Sequence, residues 1–199
     1  EKDLYRKANN FPWDRYLGNE HTLAVDATVH SEQFRHSKYI ALKLKDAIVD
    51  HFRRKTGSRP SVDVEQPSVR FHLHIAENDC SVSLDCSGRS LHLRGYRTHS
   101  VAAPINEVLA AGLLHIAHWK GERHFVDPMC GSGTLPIEAG LMALNKPPQI
   151  DWKSLGFLRW PDFDPALWRS VRWEADKRVR PFSRTIVAGD KDRRACIAT

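Results

Sequence analysis

Long apolar runs are missing from this chain: none approaches the length of about 20 residues that a membrane-spanning helix requires. The first residues are charged and aromatic rather than the apolar core of a signal peptide, so nothing points to a membrane or to secretion, and a cytoplasmic location is expected. Cysteine is sparse. Cys80, Cys86, Cys130 and Cys196 form no Cys-x-x-Cys pair, which argues against zinc and for free thiols in a reducing compartment. Two nucleotide-binding signatures are incomplete as well. No Gly-Lys-Ser/Thr follows Gly131 and Gly133, which excludes a Walker-type phosphate loop. A third glycine is absent, and the next strand-terminal acid, Asp190, lies well beyond the spacing of about 20 residues expected of a dinucleotide site.

What is present suits a globular chain of one or two domains: 199 residues, 41 % of them apolar, with Lys+Arg 30 against Asp+Glu 24 and a net charge of +6. That surplus of positive charge fits a polyanionic partner.

After a short helical or irregular lead-in, Thr22 to His30 alternates as a strand. Ser37 is placed to cap a helix from about Lys38 to Thr56, ended by Gly57. Ile40, Leu44, Ile48, Val49 and Phe52 give this helix an apolar face, and Lys43, Lys45, Arg53, Arg54 and Lys55 leave the remainder basic. Val69 to Ile75 alternates strictly, Asn78-Asp79 turns into a strand from Ser81 to Cys86, and Leu91 to Arg97 reads as a further strand. The sum is a small mixed sheet with a helix on one side. His72, His74 and His92 sit on polar strand faces and need no metal, so none is expected.

Ser100 to Pro104 reads as a linker. Pro104 suits the first turn of a helix from Ile105 to Trp119, opened by Asn106-Glu107 and apolar almost all round, as expected of one packed on a sheet. The next stretch is the most informative: an apolar run ending in Asp127, a loop holding Gly131 and Gly133, then a helix from Leu135 to Asn145. Glycines let the backbone bend sharply and approach a ligand, while the helix offers unpaired amides to a phosphate or carboxylate. Beyond Pro147-Pro148 comes an aromatic-rich loop with Trp152, Phe157, Trp160 and Phe163. Asp164 then caps a helix from Pro165 to about Arg180, with Leu167, Trp168, Val171 and Ala175 as its inner face. Thr185 to Asp190 reads as a second strand closed by an acid; the plainer role for Asp190 is to cap the segment from Arg193.

The string Asp127-Pro128-Met129-Cys130-Gly131-Ser132-Gly133-Thr134, followed by Ile137-Glu138-Ala139, closely resembles motif I of the S-adenosylmethionine-dependent methyltransferases that modify guanine N2 in RNA. Asp190, then Asp192, resembles motif II of class I methyltransferases. Strand, helix, strand, hairpin and the closing Leu91-His92-Leu93-Arg94-Gly95-Tyr96-Arg97 look like a THUMP domain, an RNA-binding module. These resemblances imply an α/β chain: a THUMP-like α+β domain over residues 1–97, then an incomplete Rossmann-like class I methyltransferase domain over 98–199. They imply S-adenosylmethionine as cofactor, held by Asp127, Pro128, Cys130, Gly131, Ser132, Gly133 and Thr134, with Asp190 on its ribose. The implied partner is RNA, ribosomal from the large subunit or else transfer RNA, and Lys43, Arg53, Arg94 and Arg97 are candidate phosphate contacts. The family's target-base string, Asn/Asp-Pro-Pro-Tyr/Phe, is absent, so the residues that grip the base are unknown. With the sequence stopping soon after a second strand, a fragment without turnover of its own is expected. An adenine-N6 DNA methylase shares the same motif order, but a THUMP module argues for RNA. The remaining alternative is a non-catalytic RNA-binding protein with a vestigial pocket.

Overall fold

A computed structural model describes residues 2–34, 36–97, 104–149, 152 and 154–198. The chain divides into two compact units, Glu1–Arg89 with Ser154–Phe163, and Ser90–Lys153 with Asp164–Thr199.

In the first unit, helix α1 (Lys2–Asn9) leads through a 3-10 turn to strand β1 (Thr22–His30). Helix α2 (Ser37–Thr56), a two-residue strand β2 (Ser61–Val62), strand β3 (Val69–Ala76) and strand β4 (Asp79–Leu84) follow. The strand order is β2-β1-β3-β4. β1 runs parallel to β3 from Leu23↔Val69 to His30↔Ala76, and β4 returns antiparallel. The strict alternation of β3 is realised in burial: Val69, Phe71, Leu73 and Ile75 are buried, while Arg70, His72 and His74 face away. Ile40, Leu44, Ile48 and Phe52 of α2 close over them. Ser37 proves to be the first residue of α2 and not its cap; His36 stands at that position without a side-chain bond.

The aromatic-rich loop lies in sequence within 98–199, the expected second domain, but packs elsewhere. Residues 154–163 belong to the first unit, where Arg159 Nε donates to Pro67 O at 2.9 Å and Trp160 packs against the core. A Cβ at Gly156 would stand 2.7 Å from Asp85 O, so only glycine permits that approach.

In the second unit the expected strand from Leu91 to Arg97 does not form: the segment is a series of turns and bends, and both leucines are exposed. Helix α3 (Glu107–Ile116) begins at Asn106, whose Oδ1 accepts the amides of Val108 and Leu109. It is shorter than expected and less covered. Glu107, Ala110 and Leu114 are buried against the α4 side, whereas Val108, Leu109, Leu113 and Ile116 are exposed. Strand β5 (Phe125–Asp127) leads to helix α4 (Thr134–Leu144), and β6 (Ile186–Ala188) pairs parallel with β5. Between them Asp164 caps helix α5 (Pro165–Lys177), accepting the amides of Ala166 and Leu167. The expected inner face of α5 is not buried. None of its residues is, and Trp173 instead lies under Lys177 Nζ, 3.3 Å from the ring centroid. The described chain ends on α6 (Arg193–Ala198). Among the described residues no helix is long and apolar enough to cross a membrane.

Candidate functional site

The bend between β5 and α4 is closed by backbone bonds to the end of β6. Gly189 N donates to Asp127 O at 2.8 Å and Cys130 N to Gly189 O at 2.9 Å, continuing the β5–β6 ladder past both strand ends. The Asp190 carboxylate then finishes the closure: Gly131 N donates to its Oδ2 at 3.0 Å and Asp192 N to its Oδ1 at 2.9 Å. Sequence spacing could suggest this meeting only by analogy; the parallel register Asp127↔Ala188 brings it about. The role of capping α6 falls to Asp192, whose Oδ1 accepts Arg194 N at 2.9 Å, and not to Asp190.

Gly131 (φ 54°) and Gly133 (φ 76°) both lie in the left-handed region, where a Cβ is penalised. Gly133 stands at the N-cap of α4, and its amide donates to Cys130 O at 2.9 Å, curling the loop tightly. Helical geometry leaves the amides of Thr134 and Leu135 without intrahelical acceptors. Pro136, in the same first turn, has no amide to satisfy. Asp127 accepts Met129 N at 3.1 Å, so its carboxylate orders the loop directly. Cys130 and Ser132 are buried, Pro128 and Met129 exposed. Ser132 Oγ is buried and has no hydrogen-bond partner among the described residues. The bend thus brings Asp127, Cys130, Gly131, Ser132, Gly133, Thr134 and Asp190 together.

The two amides hold the Asp190 carboxyl below the usual carboxylate range. A depressed folded value means that the closure is complete above the ordinary carboxylate pKa and is lost as pH falls through the lowered one. The Gly131 amide resonance should therefore titrate with a midpoint below about 3.9. A midpoint at or above that value would show that the carboxylate does not close the bend.

Thr134 and Arg97 behave differently from expectation. Thr134 Oγ1 is turned inward to accept Arg97 Nη2 at 2.8 Å; the same nitrogen reaches Ile105 O at 3.0 Å and pairs with Glu107 Oε1 at 3.3 Å. Arg94 is also no surface cation. Its Nε lies 3.3 Å from Glu138 Oε1, which accepts Tyr96 OH at 2.9 Å as well. Burial and the Glu138 carboxylate push the Tyr96 phenol up. Arg94 and Arg97 therefore serve buried acids and leave the set of candidate phosphate contacts. One sequence signal did foreshadow this. Glu138 sits among Pro136, Ile137, Ala139, Leu141 and Met142, and a carboxylate on an apolar helix needs a buried partner. Lys43 and Arg53 stay on α2, Lys43 Nζ between the rings of Tyr5 (5.9 Å) and Tyr39 (5.7 Å), Arg53 exposed beside Asp50.

A cavity of about 850 Å³ lies in the first unit, walled by Phe11, Trp13, Tyr16, Phe71 and Val82. Its lining is chiefly apolar and aromatic, so the polar chemistry belongs to the bend. No three His, Cys, Asp or Glu side chains converge as a metal site among the described residues.

A strand, a glycine bend, a helix and a second parallel strand ending in a carboxylate make the ligand-binding half of a doubly wound α/β domain. The chain belongs to the family described as RMKL-like methyltransferase domain, whose profile matches residues 94–198, and residues 1–85 match the THUMP domain. It is 41 % identical over 199 aligned residues to a protein of Syntrophotalea carbinolica named ribosomal RNA large subunit methyltransferase K/L, covering 96 % of this chain and 28 % of that one. A crystal structure from Listeria monocytogenes, titled a predicted N6-adenine-specific DNA methylase, matches with TM-score 0.86 and 28 % identity over 99 % of this chain and 52 % of that one. The SMU.472 structure, solved with SAH, matches with TM-score 0.87 and 29 % identity over the same shares. The chain thus spans about half of each solved relative and 25 to 44 % of the curated ones.

Proposed function

We propose that this chain serves S-adenosylmethionine-dependent methyl transfer to guanine N2 in large-subunit ribosomal RNA, in the cytoplasm, with the first unit docking the RNA and the second holding the cofactor. The observation that carries the proposal is the glycine bend closed on Asp190 at 3.0 Å, one turn from the start of α4. Its donor set suits the cofactor. The buried Ser132 Oγ, unpartnered among the described residues, and the amides of Thr134 and Leu135, which have no intrahelical acceptors, would receive a carboxylate at a helix N-terminus. Asp190 would take the ribose hydroxyls, because each of its oxygens still has acceptor capacity beyond one backbone amide. Asp127 and Cys130 keep the loop in place, and Pro128 follows Asp127 at the turn.

The cofactor supplies a methyl group activated on a sulfonium. Displacement there is in line and needs no covalent protein intermediate, so the protein's task is to fix donor and acceptor and to keep that geometry. Gly131 and Gly133 admit the ligand to the backbone; the β5–β6 ladder makes the bend rigid enough to be a fixed reference. No Asn/Asp-Pro-Pro-Tyr/Phe string occurs in these 199 residues, so orientation of the guanine is assigned to none of them.

The THUMP match favours RNA over the DNA substrate in the Listeria protein's title. Labelled methyl transfer by the whole protein to large-subunit ribosomal RNA, transfer RNA and duplex DNA decides the substrate. N2-methylguanosine in ribosomal RNA is expected; methyladenine in DNA would contradict the proposal. In RNA-binding titrations at several salt concentrations, Lys43→Glu with Arg53→Glu should weaken binding and flatten its log–log salt dependence by about 2 units, one per phosphate lost. An unchanged slope would place docking elsewhere.

A further inference from the structure

The two ends of α4 are held by two arginines. At the C-terminal end Arg180 Nε donates to Ala143 O and its Nη2 to Lys120 O, both at 2.9 Å. At the N-terminal end Arg97 joins Ile105 O, the Glu107 carboxylate and Thr134 Oγ1. Only the second lies at the bend. Thr134 is the first residue of α4 and follows Gly133 directly; it is 1 % exposed, and Glu107 is 4 % exposed. One guanidinium nitrogen, Nη2, thus reaches acceptors on two segments, the start of α3 (Ile105 O and Glu107 Oε1) and the first residue of α4 (Thr134 Oγ1), and ties the two together.

Two further atoms make this end of the helix unusual. Arg97 Nε and Ser132 Oγ are both buried with no hydrogen-bond partner among the described residues; Arg97 reaches Thr134 through Nη2 instead, and Ser132 stands two residues before Thr134. Buried polar atoms are nearly always paired, so two such atoms beside one bend mark a place built for something other than packing.

We propose that Arg97 is a positioning residue for the cofactor bend: through Thr134 it holds the first turn of α4 in the place that cofactor affinity requires. The proposal rests on the cofactor reading of the bend. It differs from a merely stabilising role in what its loss changes. Losing Arg180 should loosen α4 and lower thermal stability, yet leave the bend intact; losing Arg97 should cost affinity.

Calorimetry with S-adenosylhomocysteine, paired with thermal unfolding, tests this on wild type, Arg97→Met, Arg97→Lys, Thr134→Val and Arg180→Met. Arg97→Met should weaken binding about tenfold or more, because small displacements of a binding group are costly. Arg97→Lys should recover part of the loss, since its ammonium keeps the charge beside Glu107 and can still donate, but lacks the planar, pre-organised guanidinium that holds these contacts in place. Thr134→Val should weaken binding in the same direction, and Arg180→Met should lower the unfolding midpoint with affinity within about twofold of wild type. A folded Arg97→Met protein that binds like wild type would overturn the proposal, as would an Arg180→Met protein that loses as much affinity. Should Arg97→Met fail to fold, wild-type affinity in Thr134→Val overturns it equally. No binding by the wild type at all would instead bring down the cofactor reading itself, and the proposal with it.

Discussion

Gly133→Arg is expected to abolish S-adenosylhomocysteine binding while leaving the protein folded. Gly133 holds φ 76° at the N-cap of α4, a conformation that costs a non-glycine residue about 1–2 kcal/mol. That strain alone corresponds to a loss of about 5- to 30-fold in affinity if it is relieved by moving the bend. Gly133→Ala isolates this part and should bind measurably but weakly. Arginine adds a long charged side chain at the point where the loop meets the first free amides of the helix, so the ligand loses both the geometry and the space. Calorimetry measures the outcome, and circular dichroism checks that the helices remain. Undiminished heat from a folded Gly133→Arg protein would mean that the ligand does not approach this backbone.

The largest expected loss of stability lies in the first unit, at Phe71→Ala. Phe71 is 1 % exposed in the middle of β3 and meets Trp13 edge-on, with ring centroids 5.2 Å apart. Leu73 and Ile75 continue the same buried row and Leu44 closes over it, so the neighbours are too fixed to collapse into the space. Truncations of this kind cost about 3–5 kcal/mol, a large part of the roughly 5–15 kcal/mol that holds a domain together. The urea midpoint should fall steeply with its slope unchanged, and a shift equivalent to less than about 1 kcal/mol would show that Phe71 is not a central core residue.

Where residues alternate strictly or carry an unambiguous cap, the fold was legible. β1 spans the expected Thr22–His30, β3 buries every second residue, and Asp164 caps the helix it precedes; α3, expected from Ile105, starts two residues later behind Asn106. Legibility failed where pattern and context part. Leu91 and Leu93 alternate with His92 and Arg94 as a strand would, yet the segment bends because Glu138 recruits Arg94 and Tyr96. β2 has two residues, held by Thr22↔Ser61 and Leu23↔Val62, too few to leave a pattern. The apolar stripe of α3 predicted full cover, but composition cannot say which side of a helix meets a neighbour.

The site shows the same division. Two glycines between a strand ending in Asp127 and an apolar helix mark a sharp bend, but Gly-x-Gly turns are common, so its reading as a cofactor site comes from the resemblance of the whole string and not from the spacing. The place of Arg97 was not legible. A surface cation and a cation bonded to buried acids look alike in sequence, and only the fold brings Glu107, Thr134 and Ile105 to one guanidinium.

The central claim is that the closed bend between β5 and α4 receives the cofactor. Titration of the protein with S-adenosylhomocysteine, followed by backbone amide resonances, tests it most directly. The account predicts saturable shifts centred on Gly131 to Leu135 and on Gly189 to Asp192, with the amides of α2 and β3 unmoved. Shifts concentrated instead around the aromatic cavity of Phe11, Tyr16 and Phe71, or none anywhere in a folded protein, would contradict it.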